Sequence, residues 1–264
     1  MRFVNERMLM LNRDSRASTV DAVIVGAGFS GLYLLHRLRE LGFTTRVFER
    51  GSGVGGTWYW NRYPGARCDV ESMQYSYSFD EDLQQEWHWP EKFSAQPDIL
   101  AYAEHVAKRF DLTKDIDFET EVSKAHFDAA TRRWRIETNS GATVEAQHLI
   151  MATGCISTAQ LPEIDGLSDY RGNTYHTGKW PHQKVDFTGQ RIAVVGTGSS
   201  GIQAIPVLAE KAEHVTVFQR TPNYSIPSQN GPMHREYEAS WKERYGDLRE
   251  EMRYTGHGSI KDLN

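Results

Sequence analysis

Asp21-Ala-Val-Ile-Val-Gly26-Ala-Gly28-Phe-Ser-Gly31 decides the fold: an apolar, strand-like run, Ala22–Val25, feeds straight into a G-x-G-x-x-G turn. At a strand-to-helix turn, glycine lets the backbone approach a pyrophosphate, and the helix N-terminus faces its charge. The periodicity that follows predicts a helix over Ser30–Leu41, with Leu32, Leu35 and Leu38 on one stripe and Gly42 as its stop, then a strand over Thr44–Glu49. Asp21–Arg50 therefore reads as one βαβ unit. Glu49 ends it eighteen residues past Gly31, where an acid should meet a ribose hydroxyl.

The pattern recurs. Ile192-Ala-Val-Val195 runs into Gly196-Thr-Gly198-Ser-Ser-Gly201, with a predicted helix over Ser199–Lys211 and a strand over His214–Phe218. A single such match is weak, because glycines in tight turns that bind nothing are common; two in strand context describe a chain built to hold two dinucleotides. In the second copy the place of the acid is taken by Gln219, followed by Arg220 and Thr221. Losing a carboxylate and gaining a guanidinium favours a 2′-phosphate, hence NADP over NAD. This second unit looks unfinished: a mononucleotide half needs a third parallel strand, yet Pro222–Asn264 has no strand run and Arg235–Tyr254 reads as a solvated, charged helix face.

Between the fingerprints, Gly51–Pro90 is rich in Gly, Trp, Tyr and Pro and poor in periodicity, as expected of an ordered loop region over a ligand. A helix is predicted over Gln96–Phe110. Phe118–Val122, Ala125–Asp128, Trp134–Asn139 and Ala142–Ala146 then alternate like a small antiparallel set, and His148–Gly154 reads as a separate buried strand returning to the sheet. Gly154 again sets glycine where backbone would touch a cofactor. The domain organisation expected is a loose arm over 1–20, a first dinucleotide-binding domain over 21–156, a linker over 157–190 and an incomplete second domain over 191–264. The fold class is α/β: two Rossmann-like domains, a three-layer parallel sheet with a small antiparallel insert, the second domain incomplete.

Composition narrows the partners. The 264 residues are 39% hydrophobic and 25% charged, an ordinary globular balance with enough length for one large or two modest cores. A formal net charge of −5 gives no basic field for nucleic acid, and the ten His lack metal-ligand spacing, so no metal is expected. The longest uncharged apolar stretch, Ala22–Leu35, falls short of the ~20 residues of a membrane span, so no membrane is expected. Met8–Leu11 is too short for the apolar part of a signal peptide. Two separated cysteines, Cys68 and Cys155, suggest reduced thiols in the cytoplasm. The oligomeric state is left open.

Gly55-Gly-Thr-Trp-Tyr-Trp-Asn-Arg-Tyr-Pro-Gly-Ala-Arg-Cys-Asp69 and Tyr170-Arg-Gly172-Asn-Thr-Tyr-His176-Thr-Gly-Lys-Trp180-Pro181, together with both fingerprints, resemble the Baeyer–Villiger monooxygenases, close to the phenylacetone and steroid monooxygenase branch. That family's motif is F-x-G-x-x-x-H-x-x-x-W-[PD]; Tyr170 replaces the Phe and keeps an aromatic anchor. The resemblance runs from about Asp21 to about Gly246 and the family is about twice as long. It implies that the first turn binds FAD, through Gly26, Gly28, Gly31, Glu49, Gly56, Thr57, Trp58, Asp69, Tyr75, Val122 and Gly154. It implies NADPH at the second, through Gly196, Gly198, Ser199, Ser200, Gly201, Arg220 and Thr221. The implied reaction is insertion of one atom of O2 beside a ketone carbonyl to give an ester or lactone. By the same resemblance Asp69 is catalytic, pairing with an active-site arginine beyond position 264. Tyr170, Gly172, His176, Trp180 and Pro181 are conformational rather than chemical.

Three rivals share parts of this pattern. An N- or S-oxygenating flavin monooxygenase has the His-containing motif but usually lacks its Trp-Pro end. A disulfide reductase needs a C-x-x-x-x-C pair near the first helix, which is missing. A non-catalytic FAD-binding fragment fits the incomplete second unit.

Overall fold

The computed structural model describes residues 18–256, so the predicted N-terminal arm lies outside the described residues except at its end. That end is not loose: Thr19 and Val20 pair with Glu145 and Ala146 in a strand. The elements are β1 (Thr19–Val25), α1 (Phe29–Glu40), β2 (Thr45–Phe48), α2 (Thr57–Trp60), α3 (Glu81–Glu86), α4 (Gln96–Arg109), β3 (Ile116–Asp117), β4 (Val122–Asp128) and β5 (Arg133–Thr138). They continue with β6 (Thr143–Met151), β7 (Arg191–Val195), α5 (Ser199–Ala209), β8 (His214–Phe218), α6 (Arg235–Glu243) and α7 (Tyr245–Met252). Contacts gather the chain into two compact units, the first running to Gly56 and resuming over Ala103–Cys155, the second made of Thr57–Tyr102 and Ile156 onward. The division after Cys155 falls beside the expected boundary at 156. Thr57–Tyr102, expected inside a continuous 21–156 domain, instead groups with the later segment.

In the first unit, β1, α1 and β2 follow the predicted βαβ order, α1 and β2 within a residue of the expected bounds and β1 beginning three residues before the expected Ala22. Leu32 and Leu35 of α1 are fully buried with Ile24, Val47, Ala103, Ala107 and Leu112. Burying each such side chain contributes ~1.5–3 kcal/mol, enough to hold the helix on the sheet without help from its ordinary propensity. Arg37 and Arg39 occupy the last turn, where cations favour the helix dipole, and Gly42 at φ +82 ends it.

The sheet runs β3-β2-β1-β6-β5-β4, parallel from β3 to β6 and antiparallel from β6 to β4. The expected antiparallel insert is thus part of the main sheet. Ala142–Ala146 and His148–Gly154, read as two strands, are one. Its first half pairs with β5 at Thr143–Ala146, and its length from Glu145 to Met151 pairs with β1. The alternating Thr-Val-Glu-Ala pattern and the apolar Leu-Ile-Met run record this change of neighbour, which is why the sequence breaks where the strand does not. The second half is not fully buried either: Leu149 and Ile150 are half-buried and Met151 is exposed. The strand expected over Phe118–Val122 begins only at Val122, with a register shift between Val122 and Lys124.

In the second unit β7 and β8 form a parallel pair, and the described residues supply no third strand. Ala204 and Leu208 of α5 pack on Tyr63, Ala66 and Phe187. The charged stretch Arg235–Tyr254 is not a solvated face. It forms α6 and α7, whose Trp241, Tyr245 and Leu248 are at most 5% exposed. Its charges are engaged with the earlier segment: Glu238 meets His88 at 2.9 Å, Tyr237 donates to Glu71, and Arg249 donates to Gln74 O at 2.8 Å and Ser76 Oγ at 2.7 Å. Backbone bonds Lys92 N to Gly231 O and Met233 N to Pro90 O complete the attachment. These long-range contacts order the aperiodic 51–90 region, whose own helices, α2 and α3, span only four and six residues.

Candidate functional site: two glycine turns

The three glycines of the first turn do different work. Gly26 leaves β1 at φ +104, its N–H donates to Phe48 O at 2.8 Å, and a Cβ there would lie 2.6 Å from Ala152 O. Gly31 packs against the carbonyl of Gly26 so closely that a Cβ would overlap it. Gly28, at φ −78, is strained in no way; a Cβ there would meet Gly56 Cα at 3.4 Å, ordinary contact. The first and third glycines therefore serve the turn and the helix–strand packing, and the second leaves a backbone face that a pyrophosphate can approach.

Glu49 sits at the end of this turn and is only 5% exposed. Its Oε2 accepts from Ala27 N at 2.8 Å and its Oε1 from Gly51 N at 2.7 Å. A carboxylate oxygen offers two acceptor positions, so each keeps one for a ribose hydroxyl. Glu119 N donates to Gly51 O and Thr120 N to Glu49 O, both at 2.9 Å, which leads the chain into Val122 beside the acid. Gly56 at φ +53 and Gly154 at φ +72 belong to the same unit.

The other residues assigned to FAD, Thr57, Trp58, Asp69 and Tyr75, belong to the second unit. Trp58 Nε1 donates to Tyr75 Oη at 3.0 Å with the rings edge to face, and burial pushes the Tyr75 phenol up from its ordinary value. The second turn repeats the first: Gly196 stands at φ +99, and Gly201 lies where a Cβ would come within 2.5 Å of Gly196 O. No atom lies within 4 Å of a Cβ placed at Gly198. Gln219, in the position of the acid, donates to Thr197 Oγ1 at 2.8 Å and so braces the turn. Arg220 and Thr221 follow, both exposed.

A cleft of about 260 Å³ in this unit is lined by Trp58, Tyr63, Asp69, Ser199, Ser200 and Gln203, among others. Asp69 Oδ1 accepts from Gln203 Nε2 at 2.7 Å. Sequence reasoning missed Gln203 and Tyr63; the available signal was a lone polar residue in the apolar run Ile202-Gln-Ala-Ile-Pro-Val-Leu208. Cys68, beside Asp69, is buried, and burial pushes its thiol up to about 11, so it is a protonated thiol at neutral pH and a poor nucleophile. Cys155 belongs to the other unit and is exposed; both thiols are free.

The linker motif is ordered by its own contacts. His176 Nδ1 accepts from Gly178 N at 3.0 Å and its Nε2 lies 3.1 Å from Gln160 O, a pairing that requires the neutral ring with the proton on Nε2. Trp180, Tyr175 and Phe187 form a three-ring cluster, with the Trp180 centroid 5.4 Å from Tyr175 and 5.9 Å from Phe187 and the rings tilted, and Pro181 is half-buried. Tyr170 is exposed and covers Gly172, where any side chain would run into its ring.

The pyridine nucleotide-disulphide oxidoreductase family model matches residues 20–246. The acetone monooxygenase (methyl acetate-forming) of Gordonia sp. (strain TY-5) is 43% identical over 247 residues, 93% of this chain and 46% of the relative. The phenazine N-monooxygenase of Lysobacter antibioticus is 40% identical over 236 residues, 89% of this chain and 43% of its own length. The solved structure of an oxidized steroid monooxygenase bound to NADP superimposes with a TM-score of 0.88 at 53% identity, covering 93% of this chain and 47% of that one. The chain spans about half the length of the relatives it matches. Among the described residues no helix is long and apolar enough to cross a membrane. The family match places the chain in the pyridine nucleotide-disulphide oxidoreductase family, and it is similar to a Baeyer–Villiger monooxygenase of Pseudooceanicola batsensis, 42% identical over 90% of this chain and 44% of the relative.

Proposed function

We propose that this chain holds FAD at the first glycine turn and NADPH at the second, in a monooxygenase that inserts one oxygen atom of O2 beside a ketone carbonyl to give an ester or lactone. The observation that carries the reading is the shared cleft: Asp69, assigned to the chemistry, and Ser199 and Ser200, assigned to the nicotinamide coenzyme, line one cavity. Bound FAD, reduced by NADPH, supplies the activation of O2. The chain's own part is positional. Gly28 and Gly198 leave backbone open to a pyrophosphate, Glu49 keeps an acceptor position on each oxygen for a ribose, and Asp69 brings a fixed negative charge that would orient a cationic partner. Tyr170, Gly172, His176, Trp180 and Pro181 hold the linker, a conformational role. Two free thiols suit a reducing compartment, and we place the protein in the cytoplasm.

The test is product analysis with the full-length protein, which includes the arginine that the resemblance places beyond position 264, together with NADPH, O2 and acetone, cyclohexanone or phenylacetone. An ester or lactone is expected. N-oxidation of phenazine without ester would transfer the assignment to the N-oxygenating class, which the match to a phenazine N-monooxygenase favours.

Arg220 gives a separate prediction. Arg220→Ala should weaken NADPH by about tenfold to a hundredfold, since a charge-assisted pair with phosphate contributes ~1.5–3 kcal/mol, and leave NADH nearly unchanged. Equal losses for both coenzymes, measured by titration, would show that Arg220 does not read the 2′-phosphate.

A further inference from the structure

We propose that Gln203 is a positioning residue that couples Asp69 to occupancy of the second glycine turn; the inference rests on the reading of that turn as the NADPH site. Gln203 lies on α5, the helix that Gly198, Ser199 and Ser200 open. Its side-chain amide is fully used, and all four bonds go to one loop. Oε1 accepts from Tyr63 Oη at 2.8 Å and from Arg67 N at 3.2 Å. Nε2 donates to Arg67 O at 3.2 Å and to Asp69 Oδ1 at 2.7 Å.

The backbone N–H of Arg67 can only donate and its carbonyl can only accept, so the orientation of the amide is fixed by Arg67 alone. Asp69 therefore always meets a donor. The approach is close along its whole length: Gly65 stands at φ +81 against the carbonyl of Gln203, where a side chain would collide with it. A shift of the first turns of α5 on coenzyme binding would carry Gln203 with it, and Gln203 would carry the carboxylate. Glutamine is the residue for this task because it alone among side chains of its length offers a donor and an acceptor at one end.

The test is NADP+ binding to the full chain, measured by calorimetry in the parent, Asp69→Asn, Gln203→Glu and the double variant. Asp69→Asn alone should weaken NADP+ by at least about twofold, the low end for residues sharing one hydrogen-bond network. Gln203→Glu sets acceptor against acceptor and should weaken it further. Adding Asp69→Asn to Gln203→Glu should then improve binding, because the new amide donates to the new carboxylate, so the effect of one substitution reverses sign with the other. A residue that merely stabilises the helix gives no reversal. Additive losses overturn the inference alone; failure of the parent to bind NADP+ overturns the reading of the second turn and the inference with it. Should Gln203→Glu fail to fold, Gln203→Met serves: in that background Asp69→Asn should be silent, and an undiminished effect overturns the coupling.

Discussion

Replacing Gly28 by alanine is expected to leave the chain folded and to weaken its hold on FAD by up to about a hundredfold. The backbone at Gly28, φ −78 and ψ −171, suits any residue. The added methyl would lie 3.4 Å from Gly56 Cα and 3.9 Å from Gly56 N, an ordinary contact, so the protein itself accepts it. The bound pyrophosphate would not. It lies, by our reading, against the backbone that the methyl covers, and forcing a methylene's worth of volume into a filled contact costs typically ~1–3 kcal/mol. At the upper end this is about a hundredfold in affinity. Absorbance in the flavin bands after reconstitution, with far-ultraviolet circular dichroism on the same sample, checks both halves. Near-stoichiometric flavin in a folded Gly28→Ala chain removes FAD from the first turn.

How much of this was legible in the sequence depends on the range of the contacts. β1, α1 and β2 were readable because strand, turn and helix signals there are local, and Leu32 and Leu35 mark the buried stripe within one turn of each other. The helix predicted over Gln96–Phe110 was readable too, as α4, whereas the 57–90 stretch was legible only as an ordered aperiodic region, because its order comes from partners far along the chain: Glu71 from Tyr237, His88 from Glu238, Ser76 from Arg249. The same contacts explain why Arg235–Tyr254 was misread as solvated. Its charges are real, but each helix also carries a narrow apolar stripe, Trp241 on α6 and Tyr245 and Leu248 on α7, that a dense charge pattern hides. In the site, the glycines were legible as a spacing and Asp69 only through a resemblance. Gln203 had no motif to announce it, since its importance lies in four bonds to a loop more than a hundred residues earlier.

Gly31→Ala should fail in the opposite way to Gly28→Ala, by damaging the fold itself. A Cβ at Gly31 would overlap the carbonyl of Gly26, and that carbonyl has nowhere to go: Gly26 is tied to Phe48 O through its N–H and backed by Ala152, in a left-handed conformation that glycine alone adopts easily. The strain must be relieved by lifting α1, which would pull Leu32 and Leu35 out of contact with Ile24 and Val47. Overpacking against backbone sits at the top of the usual range, ~3 kcal/mol or more, against a total of ~5–15 kcal/mol for a domain. For a unit of this size the melting temperature should fall by on the order of 10 °C. Gly201→Ala offers an internal control, because its Cβ would stand 2.5 Å from Gly196 O and nothing crowds Gly196 or Gly198 from behind, so the second turn can yield. Its loss should be distinctly smaller. Thermal unfolding followed by circular dichroism decides: a Gly31→Ala chain that melts with the parent, or a Gly201→Ala chain that melts first, would show that the third glycine is not there to seat the helix on its strand.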